Sequence, residues 1–297
     1  MAGMRQLLQR KKAVANICKV TRTMEMISTS RYKGLYDAWN SSAGFYNSLA
    51  QLAYLLITAE APISNPLAEE NESDTMAVIV IGSNRGLCGG YNNNIHKMLD
   101  VHIKRAKRLN KKLDIYVYGR KIVSHLKYRG LKIAKIFDEF EEVPDYKQAW
   151  KIADDFTGLY EKGKIGYLGI VHTRFFSVAS HRAQTLTILP VTELIDDLTT
   201  RATAIWPWEN SFEDFELTPS AQDIFDSAAR MMIRTSIVSC FRDAALSENL
   251  ARVVAMKSAT DNAQKMIDEL GVEYNRARQG QITGELLDIT GGVEAMN

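Results

Sequence analysis

The residues best suited by type to chemistry are the glycines and polar side chains of VIVIGSNRGLCGGYNNNI, residues 78–95, where an apolar strand-like run passes into a glycine cluster and then a helix-compatible segment. Glycine lets an anion approach the backbone, and N–H groups at a helix start attract phosphate. The spacing fits neither nucleotide fingerprint. Where a P-loop starting at Gly82 would bring Gly-Lys-Ser/Thr, the chain has Leu87, Cys88 and Gly89, and no G-x-G-x-x-G passes through Gly82, Gly86, Gly89 and Gly90. A structural strand-to-helix corner is the expectation.

The remaining reactive residue types are scattered. The histidines, His96, His102, His125, His172 and His181, form no H-E-x-x-H and stand beside no cysteine cluster, so each reads as a surface or packing residue. Cys18, Cys88 and Cys240 are far apart and odd in number, which argues against a disulfide framework or a zinc site and for a reducing compartment. The acidic stretch FDEFEEV, 137–143, reads as a solvated loop or edge. No set of acid, base and nucleophile converges, so the sequence predicts no catalytic residue, metal ligand or cofactor.

The elements that carry these residues follow from proline placement and apolar periodicity. All six prolines lie between Pro62 and Pro219, leaving both ends free for very long helices. In the C-terminal segment Leu246, Leu250, Val253, Met256, Thr260, Ala263, Ile267, Leu270, Tyr274 and Ala277 recur at steps of three and four, the seam of a coiled coil. A weaker seam runs through Leu7, Val14, Ile17, Met24, Leu35, Phe45, Leu49, Leu52 and Leu56, interrupted by Arg10, Thr21, Ser28 and Arg31. Between the ends, β-rich runs at 77–81, 113–118, 167–171 and 185–189 alternate with helix-like stretches at 94–109, 120–128 and 146–161. Polar linkers are expected at 65–75 and 203–220.

The predicted fold class is therefore α/β: a Rossmann-like α/β domain (75–200) with a largely parallel sheet, inserted between two long terminal helices (1–60 and 219–297) that form an antiparallel coiled coil. Met residues of the seam, such as Met24 and Met256, read first as core filler.

Composition narrows the function classes. At 297 residues and 46% apolar content the chain can bury a sizeable core, yet it holds no apolar run long enough to span a bilayer and no signal-peptide core. The net charge is +2, but the first forty residues hold Arg5, Arg10, Lys11, Lys12, Lys19, Arg22, Arg31 and Lys33 against Glu25 and Asp37. Such a segment suits nucleic acid, a membrane surface, a transit peptide or an acidic protein, and the helical periodicity argues that it stays with the chain. No aromatic stacking platform accompanies it, so a basic coiled-coil adaptor or nucleic-acid-binding protein is the alternative reading. An enzyme using the 82–90 loop is a third.

Three stretches together resemble the gamma subunit of the F-type rotary ATP synthase. ICKVTRTMEMISTSRYK (17–33) is similar to that family's N-terminal pattern, GSNRGLCGGYN (82–92) to its glycine corner, and SENLARVVAMKSATDNAQKMIDELGVEYNRARQGQITGELLDITGG (247–292) to its C-terminal helix. Order, spacing and length agree over essentially the whole chain. The departures are Asn84 in place of aspartate, Thr23, Ser28 and Thr29 in place of small residues, and Val293-Glu294 after Gly292.

The resemblance implies a non-catalytic central-stalk shaft with no cofactor. It couples ion-driven rotation of the membrane c-ring to conformational changes in the catalytic beta subunits, for ATP synthesis or hydrolysis. Implied partners are the alpha and beta subunits, an epsilon (bacterial) or delta (mitochondrial) stalk subunit, and the c-ring, with no nucleic acid. Implied partner contacts are Arg22, Met24 and Glu25 near the beta subunits' acidic loops, and Arg278, Gln279, Thr283 and Glu285 near the shaft's upper end. Implied location is the cytoplasmic face of the bacterial inner membrane, held peripherally, the mitochondrial matrix face being the alternative. Gly280 and Gly284 predict a softer helix near the tip.

Overall fold

The computed structural model describes residues 2–58, 64–205 and 218–294. In chain order the elements are α1 (Ala2–Thr58), β1 (Thr75–Ile81), α2 (Tyr91–Arg108), β2 (Lys112–Tyr118), α3 (Arg120–Tyr128), β3 (Lys135–Phe137), α4 (Tyr146–Glu161), β4 (Tyr167–Ser177), β5 (Ser180–Leu189), α5 (Val191–Ile205) and α6 (Ala221–Glu294). They divide into two compact units, Met1–Ser30 with Arg252–Asn297, and Arg31–Ala251. Helices α1 and α6 contribute residues to both.

The larger unit is built on a five-stranded sheet in the order β3-β2-β1-β4-β5. β1 runs parallel to β2 and β4, β2 parallel to β3, and β5 returns antiparallel to β4. The unbroken apolar run of β1 follows from burial on both faces. Met76, Val78 and Val80 pack with Ile95 and Leu99 of α2 and Ile122 and Leu126 of α3. Ala77, Ile79 and Ile81 belong to the opposite core, with Phe156 of α4, Leu194 of α5, and Met232, Ile233 and Phe241 of α6. A two-residue side-chain period thus splits one strand between two cores.

Local signals fix the boundaries that the sequence predicts best. α4 starts where expected because Asp145 accepts from the Gln148 N–H and Gln148 reciprocates to the Asp145 N–H, a capping box. α3 occupies the predicted 120–128. Two elements lie outside the sequence reading. β3 has three residues, two of them exposed, too few to show a period. α5 follows Pro190 directly and buries Val191, Leu194, Ile195 and Leu198 at helical spacing.

The acidic stretch 137–143 is only partly solvated. Phe140 stacks on Tyr118 at 5.1 Å and meets Phe241 edge-on at 5.2 Å, while Glu142 pairs with Arg31 at 2.5 Å. The 65–75 linker precedes β1 as expected, with Asn65 and Asn71 bonding within the larger unit. Most of the predicted 203–220 linker lies outside the described residues.

The smaller unit pairs α1 with α6. Val14, Cys18, Ala263 and Leu270 form its buried core, with Leu7 and Ile267 against it. The Cys18 thiol points to the Thr260 carbonyl at 3.9 Å, and the Thr260 hydroxyl donates to Thr21 Oγ1 at 2.8 Å. Lys11 lies at Gly271, where an added Cβ would come within 3.1 Å of its Nζ. Rising numbers on α1 meet falling numbers on α6, so the pair is antiparallel.

Candidate partner-contact surface and the glycine corner

The α6 seam follows its sequence pattern: Met256, Thr260, Ala263 and Leu270 are buried and Ile267, Tyr274 and Ala277 half-buried. The α1 seam follows its pattern at Leu7, Val14, Met24, Leu35, Leu49 and Leu52 but breaks at two positions. Ile17, expected inside, is 55% exposed, and Phe45 is 52% exposed. The buried or half-buried line in the smaller unit is instead Leu7, Lys11, Val14, Cys18, Thr21, Glu25 and Ser28, an unbroken alternation of four and three. Thr21 and Ser28 looked like interruptions because they are polar. Thr21 belongs in the seam because its hydroxyl donates to the Cys18 carbonyl while accepting from Thr260, so no polar atom of the pair is left unsatisfied.

Outside the seam both helices carry uncovered apolar side chains. On α1 these are Ile17, Val20, Met26 and Ile27, and on α6 Val254 and Val272, at 51 to 69% exposure. Further along α6, Ile282, Leu286, Leu287 and Ile289 are also exposed. With Lys11 opposite Gly271, Ala2 of α1 falls opposite about residue 280, so the last ~14 residues of α6, about 20 Å at 1.5 Å per residue, have no α1 residue opposite among the described residues. Exposed apolar side chains at this density mark a contact surface.

The predicted contact residues lie on this surface in two groups. Arg22 is exposed and Met24 and Glu25 half-buried on α1, while Arg278, Gln279, Thr283 and Glu285 are exposed on α6. By the helix register, α1 residue 22 faces α6 near residue 260, which leaves the groups about 28 Å apart along the pair. Glu285 accepts from Gln281 Nε2 at 2.8 Å. Arg5, Arg10, Lys12, Lys19 and Arg22 are exposed and form no ion pair among the described residues. The exposed α1 apolar residues escaped the sequence reading; the four-three line from Leu7 to Ser28 was the available signal.

The glycine corner is tied into the larger unit. The Gly82 N–H donates to the Tyr118 carbonyl at 2.8 Å, and a Cβ on Gly82 would lie 2.1 Å from Ile122 Cγ1. The Ser83 N–H donates to Asn92 Oδ1, the Asn92 amide donates to Ser83 Oγ, and Asn84 Oδ1 caps the Arg120 N–H at the start of α3. Asn84 also donates to Tyr118, whose hydroxyl donates to the Glu141 carbonyl. Burial and the neighbouring acids Glu248 and Glu142 push the Tyr118 hydroxyl pKa upward, so it stays protonated as that donor. Here the N–H groups of Ser83 and Arg120, which a phosphate site would leave available, are committed to side chains.

Of the histidines, His102 and His172 are buried packing residues. His102 Nε2 lies 2.7 Å from Thr185 Oγ1, and burial beside Arg105 lowers its pKa to about 4. His96 of α2 stacks on His125 of α3 at 3.7 Å, and burial and that neighbour lower its pKa to about 4. All three cysteines are free and buried.

The profile of the ATP synthase family matches residues 3–296. The ATP synthase gamma chain of Rhodopirellula baltica is 37% identical over 297 residues, spanning 100% of this chain and 99% of that relative. The chain belongs to the ATP synthase gamma-chain family. Among solved structures it is similar to a chain in the Euglena gracilis mitochondrial ATP synthase assembly of OSCP, F1 and c-ring, with a TM-score of 0.67 at 17% identity, covering 99% of this chain and 95% of that one. A chain of the rotor of the same organism's enzyme matches with a TM-score of 0.62 at 15% identity, over 95% of this chain and 99% of that one. These likenesses show the gamma-chain fold: a mixed α/β sheet core with long N- and C-terminal helices.

Proposed function

We propose that this gamma chain works as the turning shaft of the central stalk, coupling ion-driven rotation of the membrane c-ring to conformational changes in the catalytic beta subunits. The observation that carries this reading is the smaller unit's surface: a two-helix seam with exposed apolar residues outside it, continued along the last turns of α6 by Ile282, Leu286 and Leu287. Such a surface needs a surrounding partner. A pair of helices is not round in cross-section, so each orientation presents different side chains to a given neighbour. Different contact free energies with the open and closed forms of that neighbour are what conformational coupling requires.

The residues divide the work. Arg22 and the unpaired cations Arg5, Arg10, Lys12 and Lys19 face acidic loops of the beta subunits, an attraction that sets orientation without locking the surfaces. Met24 and Glu25, half in the seam, carry beta-subunit contact back into the helix packing. Arg278, Gln279, Thr283 and Glu285 make polar contacts near the upper end, around the apolar side chains of the last turns. The 1–60 and 219–297 segments form the shaft, and the 75–200 domain meets the c-ring and an epsilon or delta subunit. The chain is non-catalytic, uses no cofactor and associates with the membrane peripherally through its complex. No helix among the described residues is long and apolar enough to cross a bilayer.

The test is binding of the purified chain to an alpha–beta hexamer, wild type against a chain carrying Ile282→Ser, Leu286→Ser and Leu287→Ser. Stable hexamer binding that the triple variant weakens at least tenfold supports the reading. Salt-sensitive binding to duplex DNA with no affinity for the hexamer supports the adaptor instead.

A further inference from the structure

Residues 91–135, which form α2, β2, α3 and the start of β3, hold thirteen Lys and Arg against two acids, Asp100 and Asp114, in a chain whose net charge is +2. The rest of the chain is therefore net acidic, and the positive charge is gathered on one part of the larger unit. We infer that the turns ending α2 and α3 form a basic, aromatic-tipped face that rests on an anionic phospholipid surface.

The two turns have the same construction. Each helix ends in a residue with left-handed backbone, Asn110 at φ 51° and Gly130 at φ 68°. In each, the next N–H reaches back five residues, Lys111 to the Ala106 carbonyl at 2.9 Å and Leu131 to the Leu126 carbonyl at 3.0 Å. This closure satisfies the last helical carbonyls and makes each turn rigid. The turns lead into β2 and β3, parallel neighbours in which Lys135, the first residue of β3, pairs with Tyr116, the fifth of β2, so the α3 turn faces the same end of the sheet as the α2 turn but sits about 13 Å further along it.

What they present is uncommon for a wholly solvated edge. Lys107, Arg108, Lys127 and Lys132 are exposed and form no ion pair among the described residues. Between them stand Tyr128, 90% exposed, and Leu109, 47% exposed. Cations in a last helical turn are favoured by the helix dipole, which accounts for Lys107, Arg108 and Lys127 without any partner. The dipole does not account for a tyrosine and a leucine left in water at the same two turns. Basic side chains flanking an aromatic ring match the level of lipid headgroups, where the ring sits among them and each cation is drawn to the anionic surface. The charges are mostly lysines spread over two turns, which suits a broad diffuse anionic surface better than a bidentate protein partner.

The experiment is co-sedimentation of the full chain with vesicles of equimolar phosphatidylglycerol and phosphatidylcholine, with phosphatidylcholine vesicles alone as reference. The expected result is binding to the anionic vesicles only, weakened by added salt. Lys107→Gln, Lys127→Gln and Lys132→Gln together should lower the partition about a hundredfold, about fivefold per charge. Tyr128→Ser should lower it further at high salt, where the apolar share dominates. A second variant, Arg5→Gln with Arg10→Gln and Lys12→Gln, removes a similar charge from α1 and should bind almost as the wild type does. Equal binding to both vesicle types, loss confined to the α1 variant, or duplex DNA bound more tightly than anionic vesicles and released by the three lysine changes would each overturn the assignment. The Lys107, Lys127, Lys132 and Tyr128 substitutions lie outside the α1–α6 contact surface and should leave hexamer binding unchanged, so failure here is separate from failure of the shaft reading.

Discussion

At the residue scale the corner between β1 and α2 shows how a nucleotide-like sequence becomes a structural joint. Gly119 has φ 106°, and a Cβ there would sit 2.5 Å from the backbone carbon and oxygen of Gly82. Backbone cannot yield as a side-chain tip does, so Gly119→Ala should destabilise the larger unit by about 2 to 3 kcal/mol, read by urea denaturation. The buried histidines set a second test. The pKa of His102 is lowered to about 4 in the folded chain, so between pH 6.5 and 4 the unfolded chain binds the extra proton and stability falls as pH falls. Each such histidine contributes a slope of at most about 1.4 kcal/mol per pH unit in that window. His102→Gln, which keeps a partner for Thr185, should flatten the curve; an unchanged slope would remove His102 as the cause. The corner's bond pattern was only partly legible, because the glycines announce a tight turn while the Asn84 and Asn92 bonds depend on chain that arrives from elsewhere.

At the element scale the long helices are governed by their seam. The seam of α6 was legible because its residues are apolar at regular steps. That of α1 was misread at Thr21 and Ser28, because a polar side chain buried in a helix pair, as Thr21 is against Thr260, carries no apolar signal, and at Ile17, which is apolar but exposed. Thr260→Val and Thr21→Val should show a coupling of about 1 kcal/mol in a double-mutant cycle, the value of one buried hydroxyl pair. Glycines within α6 give the opposite sign. Gly280 and Gly284 have open space where a Cβ would be, and Gly271 faces only the mobile end of Lys11. Alanine at Gly271 should stabilise the smaller unit by about 0.5 to 1 kcal/mol. Alanine at Gly280 and Gly284 together should slow hydrogen exchange over residues 279–287 towards the rate seen in the seam. Equal exchange in both regions of the unsubstituted chain would show that the glycines do not soften the helix.

At the scale of the whole molecule, the α/β insertion between terminal helices was legible from proline placement and the change of apolar period at about residue 75. The short β3 was not, for want of a period, and the gathering of positive charge over 91–135, countable in the sequence, was hidden behind a total charge near zero. Both units are needed for the proposed work: one offers a partner surface with distinct sides, the other a body for the c-ring and stalk subunit to grip. Truncation after Arg276 removes Arg278, Gln279, Thr283, Glu285 and the exposed apolar turns while leaving the Val14–Leu270 core intact. The truncated chain should bind a hexamer more weakly and transmit less torque. The most direct measurement is single-molecule rotation: the chain, labelled on an exposed residue of the larger unit, is assembled into an immobilised alpha–beta hexamer and watched during ATP hydrolysis. Stepwise turning in one direction, locked to hydrolysis, is the predicted result; hydrolysis beneath a bound but stationary label would contradict the account.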